Sequence, residues 1–496
     1  MNDRLPRLIS GALVVLSSFA LWEIIQIKGA ALIQQPSLAS AAAVCCLIAV
    51  FLGIAGFLAP HRYWENVLRQ WSDLYTNFSR PAQPAHHWLG SVLLSFSMII
   101  YFVVMMKMIP LQPSPENNDQ GAFLAQAQAV QTSGGPTVLI RQLVSGTYQE
   151  ANQHPLYVAL LSYFPDYESG KRLSAIFGLS ALLLFSMGIT RQYGTLVGGL
   201  TGFFISVNAA YCQLTGRVVC EGLLLFFLAG LWLIVLRLPD LRSGRLPYLH
   251  LMGIGILLGL AWLTKGTALL LILGLGLWYC SYVVNWRQLC ARFIRKTTTV
   301  DNKVNVKQAN TTAVPLKTIF VALTLIIVSF ALIAAPLLVR NARVYGSPTF
   351  NANSYLMFQD EFTEPHALAK QSTLREAAQA YFKTHSVSEI VKREVKGLLW
   401  QVFIFLRSLG PLPFDEGRLF FGLLALPFLV IGLIAETHPA RRLYLIWMVL
   451  FWVAFAWYLP IAAGERFLMP LLLPALAFIS LGIVRVGQLF VQRRTA

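Results

Sequence analysis

The sequence predicts an all-α polytopic membrane protein with about 12 transmembrane helices and two long outer-face connections that carry interfacial amphipathic helices. Three observations predict it. Hydrophobic residues make up 56% of the 496 residues and charged ones only 12%, where a soluble chain is nearer about a quarter charged. Apolar runs recur from residue 8 to residue 491, and each has the ~20 residues needed to cross ~30 Å of hydrocarbon. Basic residues gather in alternate connections. This pattern excludes a soluble enzyme, a secreted disulfide scaffold and a single-anchor receptor.

Hydropathy places the spans near 8–27, 39–59, 88–109, 171–190, 194–210, 218–236, 248–264, 267–284, 318–338, 419–434, 443–461 and 467–490. Arg4 and Arg7 before the first span give it the charge of a signal peptide, but it runs long and lacks a small-residue cleavage site. It is expected to remain as an uncleaved helix. With the N-terminus in the cytoplasm, the inner connections hold 20 cations against 6 acids, and the outer ones, counted with the charges in the outward halves of their spans, 17 against 16. Both termini are therefore expected to be cytoplasmic, in a multi-pass protein of the inner (plasma) membrane. The net charge of +17 is then an orientation signal whose partner is anionic membrane lipid; no nucleic acid is expected. The cysteines at 45, 46, 212, 220, 280 and 290 show no metal-ligand spacing and read as packing residues.

The chain divides into two additional N-terminal helices with a cytoplasmic loop (1–87), a transmembrane module (88–338), a second large outer loop (339–418) and C-terminal helices (419–496). Within the module, residues 111–170 form the first outer loop. Residues 285–317 hold seven cations and one acid and read as a cytoplasmic linker. Neither outer loop has the strand alternation of a soluble domain. Apolar patches alternate with turn formers instead: 121–130, the Ser-Gly-Gly-Pro break at 133–136, 137–144, then 154–164. Short helices lying in the interface follow from this. Residues 396–409, with Trp400, Phe403 and Phe405, are expected to be another, or a re-entrant helix. A full crossing there would move Arg441 and Arg442 outside, against the charge rule.

The first outer loop opens Pro113-Ser-Pro-Glu-Asn-Asn-Asp-Gln-Gly121. Alone, Asp119 reads as an acid capping the helix that begins there. Five further segments follow: Asn152-Gln-His-Pro-Leu-Tyr157, Thr215-Gly-Arg-Val-Val-Cys-Glu-Gly222, Gly259-Leu-Ala-Trp-Leu-Thr-Lys-Gly266, Ala335-Pro-Leu-Leu-Val-Arg-Asn341 with Tyr345-Gly-Ser-Pro348, and Gly464-Glu-Arg-Phe-Leu-Met-Pro470. In this order, and all at outer ends of spans by the charge count, they resemble the polyprenyl-phosphate-dependent membrane glycosyltransferases of the GT-C type. That group includes protein O-mannosyltransferases and lipid A aminoarabinose transferases. The resemblance covers residues 88–490. Gln120 departs from it, standing where many relatives have a second acid, and Leu337 stands where they often have Trp.

The resemblance implies a GT-C-like catalytic module that moves a sugar from a polyprenyl-phosphate-linked donor to an envelope glycan, lipid or protein acceptor on the outer face. A sugar on a lipid phosphate already has its leaving group, so no general acid is needed, unlike a glycosidase. A base must take the acceptor's proton, and cations must hold the phosphate as charge develops. Asp119 is the candidate base. His154, Lys265, Arg340 and Arg466 are the candidate donor-binding cations; the alternative for each is an ordinary residue snorkelling at a span end. Glu221, four residues after Arg217, is either half of an i,i+4 ion pair or a substrate-positioning group. No cofactor is fixed: Glu221 offers a ligand for a divalent cation such as Mg or Mn, while Gln120 argues against a tightly held metal. Two alternatives share the carrier: a transporter or flippase for lipid-linked sugars, and an oligosaccharide ligase or polymerase. The absence of an internal repeat disfavours the transporter.

Overall fold

The computed structural model describes residues 49–60, 87–116, 118–150, 152–239, 246–282, 314–412 and 417–495, with scattered positions among 7–18 and at 64. Most of the expected span 8–27, residues 39–48 and the linker from 285 to 313 lie outside them. Helices account for nearly all the regular structure: α1 (Ala49–Leu58), α2 (His87–Met108), α3 (Asp119–Thr132), α4 (Pro136–Ser145), α5 (Pro155–Leu161), α6 (Tyr167–Tyr193), α7 (Thr195–Val207), α8 (Ala209–Thr215), α9 (Glu221–Val235), α10 (Tyr248–Thr264), α11 (Ala268–Cys280), α12 (Leu316–Tyr345), α13 (Pro365–Gln371), α14 (Leu374–Thr384), α15 (Val387–Ser408), α16 (Arg418–Ala435), α17 (Ala440–Trp457) and α18 (Met469–Thr495). Among the described residues the one β-type pairing is an isolated bridge between Asn208 and Pro411.

The protein is a multi-pass helical membrane protein. Among the described residues, six helices are long and apolar enough to cross a bilayer: α2, α6, α12, α16, α17 and α18. Their outward faces carry large apolar side chains, such as Phe102 at 59% exposure and Leu332 at 71%. Water would penalise such faces, whereas lipid solvates them. The expected count of twelve is not confirmed, and most of the first expected span and half of the second lie outside the described residues. α7, α9, α10 and α11 are apolar but have only 13 to 17 residues, and at 1.5 Å per residue even the longest spans about 26 Å. Asn208 shortens the fifth expected span. Its side chain accepts from Tyr211 N–H at 2.9 Å and donates to Ser408 O at 2.8 Å, capping α8 and ending α7.

Small residues set the helix crossings, because in lipid close van der Waals packing replaces the hydrophobic drive. A Cβ on Gly199 of α7 would sit 2.3 Å from Gly90 O of α2. Gly259, which begins the Gly-Leu-Ala-Trp-Leu-Thr-Lys segment, lets α10 press on α12, where a Cβ would meet Ile333 at 2.7 Å.

The connections sort by end. Met108, Thr215, Glu221, Thr264, Tyr345, Trp457 and Met469 close or open their helices at one end, with the described residues of 109–166, 346–412 and 458–468 gathered there. The opposite end holds the turn at 436–439, where Trp278 Nε1 donates to Pro439 O at 3.1 Å. At the first end, α3, α4 and α5 fall on the three patches expected to be interfacial helices, and Gly134 (φ 110°) and Gly135 (φ 84°) make the break between the first two.

The expected helix 396–409 begins earlier, at Val387, because Ser386 and Glu389 form a capping box that fixes its start. It does not cross. Arg393 Nε donates to Trp457 O at 2.9 Å, Gln401 Nε2 to Phe455 O at 3.0 Å, and Ser408 O accepts from Asn208. Trp457 and Phe455 lie in the last turn of α17 and Asn208 follows α7, so α15 packs over those two helix ends, and it meets α16 where a Cβ on Gly422 would touch Leu406 O.

Candidate functional site

Asp119 opens α3 but does not cap it, which corrects the reading of this acid as a cap. Asn118 is the cap: its backbone is extended and its side chain accepts from Gln120 N–H at 2.9 Å. Asp119 stands one position inside, its side chain 52% exposed. Gln120 points the other way. Its Oε1 accepts from Val218 N–H at 3.0 Å and its Nε2 donates to Pro113 O at 3.3 Å. An ionised acid could accept the first bond but not donate the second, which explains an amide at this position.

Arg466 follows Gly464 in a 3₁₀ turn, Glu465–Phe467, between α17 and α18. Its Nη1 is paired with Asp119 Oδ2, and its Nε donates to Glu221 Oε1 at 3.0 Å. Lys265 Nζ reaches that same Glu221 oxygen at 2.8 Å. Lys265 can do so because α10 ends at Thr264 and Lys265 is extended (φ −155°), turning its stem towards α9. Four predicted residues thus form one chain, Asp119–Arg466–Glu221–Lys265, with two acids and two cations. Glu221 is fully buried, and its charge, reinforced by Asp119, raises the Arg466 pKa above its ordinary value. Buried carboxylates are tolerated only with such pairing.

The expected Arg217–Glu221 helical pair is not formed. Residues 217–220 lie in a turn and α9 begins at Glu221, so the i,i+4 spacing never acquires helical geometry. Arg217 Nε donates to Gln112 Oε1 at 2.9 Å instead.

Arg340 was expected at the rim of a span ending at 338, but α12 runs on to Tyr345 and Arg340 is only 3% exposed. The first outer loop supports this extension. Arg340 Nη1 donates to Glu150 O, Arg343 Nη1 to Val144 O at 2.7 Å, and Tyr345 Oη to Gln149 O. The Arg340 guanidinium lies 5.4 Å from the Tyr345 ring and 5.8 Å from the Tyr148 ring. It makes no ion pair among the described residues.

His154 stands at the N-cap position of α5 without a side-chain cap bond and packs edge-on to Trp262, ring centroids 5.8 Å apart. A Cβ on Gly266 would come within 3.0 Å of its Nε2, and its Nδ1 is shut from solvent without a partner. Burial pushes the ring's pKa down to about 4, and the charges of Arg340 and Lys265 push the same way. Lys265 and Arg340 thus hold different partners, the first Glu221 and the second loop carbonyls, and His154 is within electrostatic reach of both.

Sequence reading missed the pair beside this chain. Glu465 binds Arg418, and lies 3.6 Å from Arg407 Nε, so adjacent Glu465 and Arg466 face different partners. The signal was present in Gly464-Glu-Arg-Phe467, but nothing local says which way either side chain turns. Tyr148 and Asn351, beside Arg340 and Gly266, carried no signal at all.

A tightly held divalent ion does not fit this donor set. Asp119 and Glu221 are bridged by a guanidinium instead of converging on an open point, and no group of three His, Cys, Asp or Glu able to hold a metal occurs among the described residues.

No family model and no curated protein matches the chain. Its fold is similar to three solved structures: ArnT from Cupriavidus metallidurans in the apo state (14% identity, TM-score 0.44, covering 79% of this chain and 59% of that one); the S. cerevisiae protein O-mannosyltransferase Pmt1-Pmt2 complex bound to the sugar donor (17%, 0.31, 61% and 39%); and the archaeal oligosaccharyltransferase AglB from Archaeoglobus fulgidus with an inhibitory peptide and a dolichol-phosphate (14%, 0.45, 82% and 51%). The chain spans less than two thirds of the length of each.

Proposed function

We propose that this protein is an inverting glycosyltransferase that moves a sugar from a polyprenyl-phosphate donor to an acceptor hydroxyl at the outer face of the plasma membrane, with Asp119 as base. The observation that carries the reading is the state of the Asp119 carboxylate. Arg466 holds Oδ2, while Oδ1 accepts no hydrogen bond among the described residues and the side chain is half exposed. A fixed carboxylate with one free oxygen at an open face is what a base needs to meet an incoming hydroxyl.

The acceptor hydroxyl gives its proton to Asp119 Oδ1 as its oxygen forms the new bond to the anomeric carbon. The bond from that carbon to the phosphate oxygen breaks on the opposite face, and its electron pair leaves on the polyprenyl phosphate. Asp119 and Lys265 stand at the two ends of the four-residue chain, joined through Arg466 and Glu221 and not paired with each other. Lys265, Arg340 and a neutral His154 supply donors to the departing phosphate, where charge-assisted hydrogen bonds are strong. Glu221 holds Lys265 and Arg466 in place.

The test is direct. Purified protein in detergent should release polyprenyl phosphate from a polyprenyl-phosphate monosaccharide when an acceptor is present. A requirement for a diphosphate-linked oligosaccharide would overturn this reading in favour of a ligase. Mass spectrometry of envelope glycans from cells with and without the protein would identify the product.

A further inference from the structure

The second long connection, which the catalytic reading barely uses, forms an open pocket of about 490 Å³ between the end of α12 and the start of α14. Its size is in the range of small-molecule sites, about 300–1,000 Å³. Its walls include the rings of Tyr345, Phe350 and Tyr355 and the polar groups of Asn351, Ser354 and Thr373, and no lining residue is charged. Tyr345 and Phe350 stack at 4.0 Å with 12° between their planes, forming a rigid aromatic wall. Aromatic faces with hydroxyl and amide groups suit a ligand that has both C–H faces and many hydroxyls, and the lack of charge disfavours a phosphate or an acidic sugar.

Position narrows the ligand further. Tyr345 lines the cavity and also lies over Arg340, while Asn351 Nδ2 comes within 2.6 Å of where a Gly266 Cβ would be, next to Lys265. The cavity therefore adjoins the cations. Yet none of Asp119, Glu221, Lys265 and Arg466 lines it. A donor's sugar is bonded directly to its phosphate and has to lie against those groups, so the cavity is left for a different unit.

We infer that this cavity binds a neutral saccharide of the acceptor, so that the acceptor is a glycan or glycolipid held by a sugar next to the reacting one. The assignment to the acceptor rests on the glycosyltransferase reading; saccharide binding itself does not.

The experiment is therefore a binding one. Full-length protein, fluorescently labelled in detergent, is applied to an array of neutral and acidic oligosaccharides, beside two variants that fill the cavity from different walls, Ser354→Phe and Ala369→Phe. Thermal unfolding of each variant is measured in parallel. The expected result is binding to a subset of neutral oligosaccharides that falls at least tenfold in whichever variants unfold as the wild type does, and that persists in Asp119→Asn. Should both variants unfold early, competition by the bound oligosaccharide against acetylation of the tyrosine hydroxyls, read at Tyr355 by mass spectrometry, replaces them. No neutral oligosaccharide bound, equal binding by a folded variant, or no protection of Tyr355 would overturn the inference, even if transfer is demonstrated. Binding without any transfer would keep the saccharide site and reject the catalytic reading. Displacement of the bound oligosaccharide by a polyprenyl-phosphate monosaccharide would mean that the cavity takes the donor's sugar, and would overturn the acceptor assignment.

Discussion

Asp119 and Arg466 are 347 residues apart in sequence and form an ion pair, joining the first turn of α3 to the 3₁₀ turn before α18. The pair holds the candidate base without burying it. Because Asn118 already caps α3, the charge at 119 is not required to start the helix, and the roles of the two neighbours separate.

Asp119→Asn should lower transfer by about 10²–10⁴-fold, the range for a lost general base, with little change in unfolding temperature. Asn118→Ala should do the reverse, costing about 1 kcal/mol of stability through the lost cap. Steady-state turnover and thermal unfolding of both variants check this. Near-normal turnover by the Asn variant would leave Asp119 as a structural partner of Arg466.

Glu221→Gln should be the most destabilising of the conservative changes, by about 3–5 kcal/mol, because two cations lose the buried charge between them. Adding Lys265→Met should recover part of that loss by removing one unpaired charge, so the double variant should be more stable than the two single costs imply. Denaturation in detergent measures it, and strictly additive costs would mean that the contact contributes nothing.

Lys265→Ala and Arg340→Ala should each raise the KM for donor, with a double effect smaller than the sum if both act on one phosphate. Arg340→Lys should not rescue. An ammonium cannot match a planar guanidinium that binds loop carbonyls while lying beside Tyr345 and Tyr148. Full activity in Arg340→Lys would reduce this residue to a point charge.

His154 gives a pH signature. Its folded-state pKa of about 4 lies below the ordinary 6.5, so the unfolded chain binds more protons between those values. Stability from the buried neutral ring is complete above pH 6.5 and is lost as pH falls towards 4. His154→Gln should flatten the fall in unfolding temperature across that window relative to wild type. Parallel curves would show that the ring does not titrate differently in the two states. Donor binding should raise the His154 pKa, since a phosphate favours the protonated ring, and a titration followed by NMR reads that shift.

Topology is tested at two exposed positions, Gln131 in α3 and Thr437 in the turn before α17. With the native cysteines removed, a membrane-impermeant thiol reagent applied from outside should label Gln131→Cys and not Thr437→Cys. Gln120 is a poor probe because it is buried. Labelling of both from the outside would reject the outer-face assignment.

Much was legible without a structure because hydropathy, charge asymmetry and turn chemistry are local. The long spans, the Gly134–Gly135 break and the three short helices α3, α4 and α5 could be read from composition and spacing alone. Asp119, His154, Glu221, Lys265, Arg340 and Arg466 could be nominated because the segments that resemble GT-C-type glycosyltransferases contain them, each ionisable at the edge of an apolar run, where such groups are costly. Which of them meet could not be nominated. The Glu221 partner looked like Arg217, four residues away, but it is Lys265 and Arg466, 44 and 245 residues on. Likewise, Arg340 sits under loop carbonyls instead of at a rim, and Asn118, not Asp119, caps α3. Sequence determined the lipid-facing surfaces and the inventory of charges, since these depend on each segment's own transfer energy. Only the tertiary structure decided the pairing, because a buried charge is satisfied by whichever group the helix crossings bring within about 3 Å, and those crossings depend on small residues such as Gly259 packing against a distant helix.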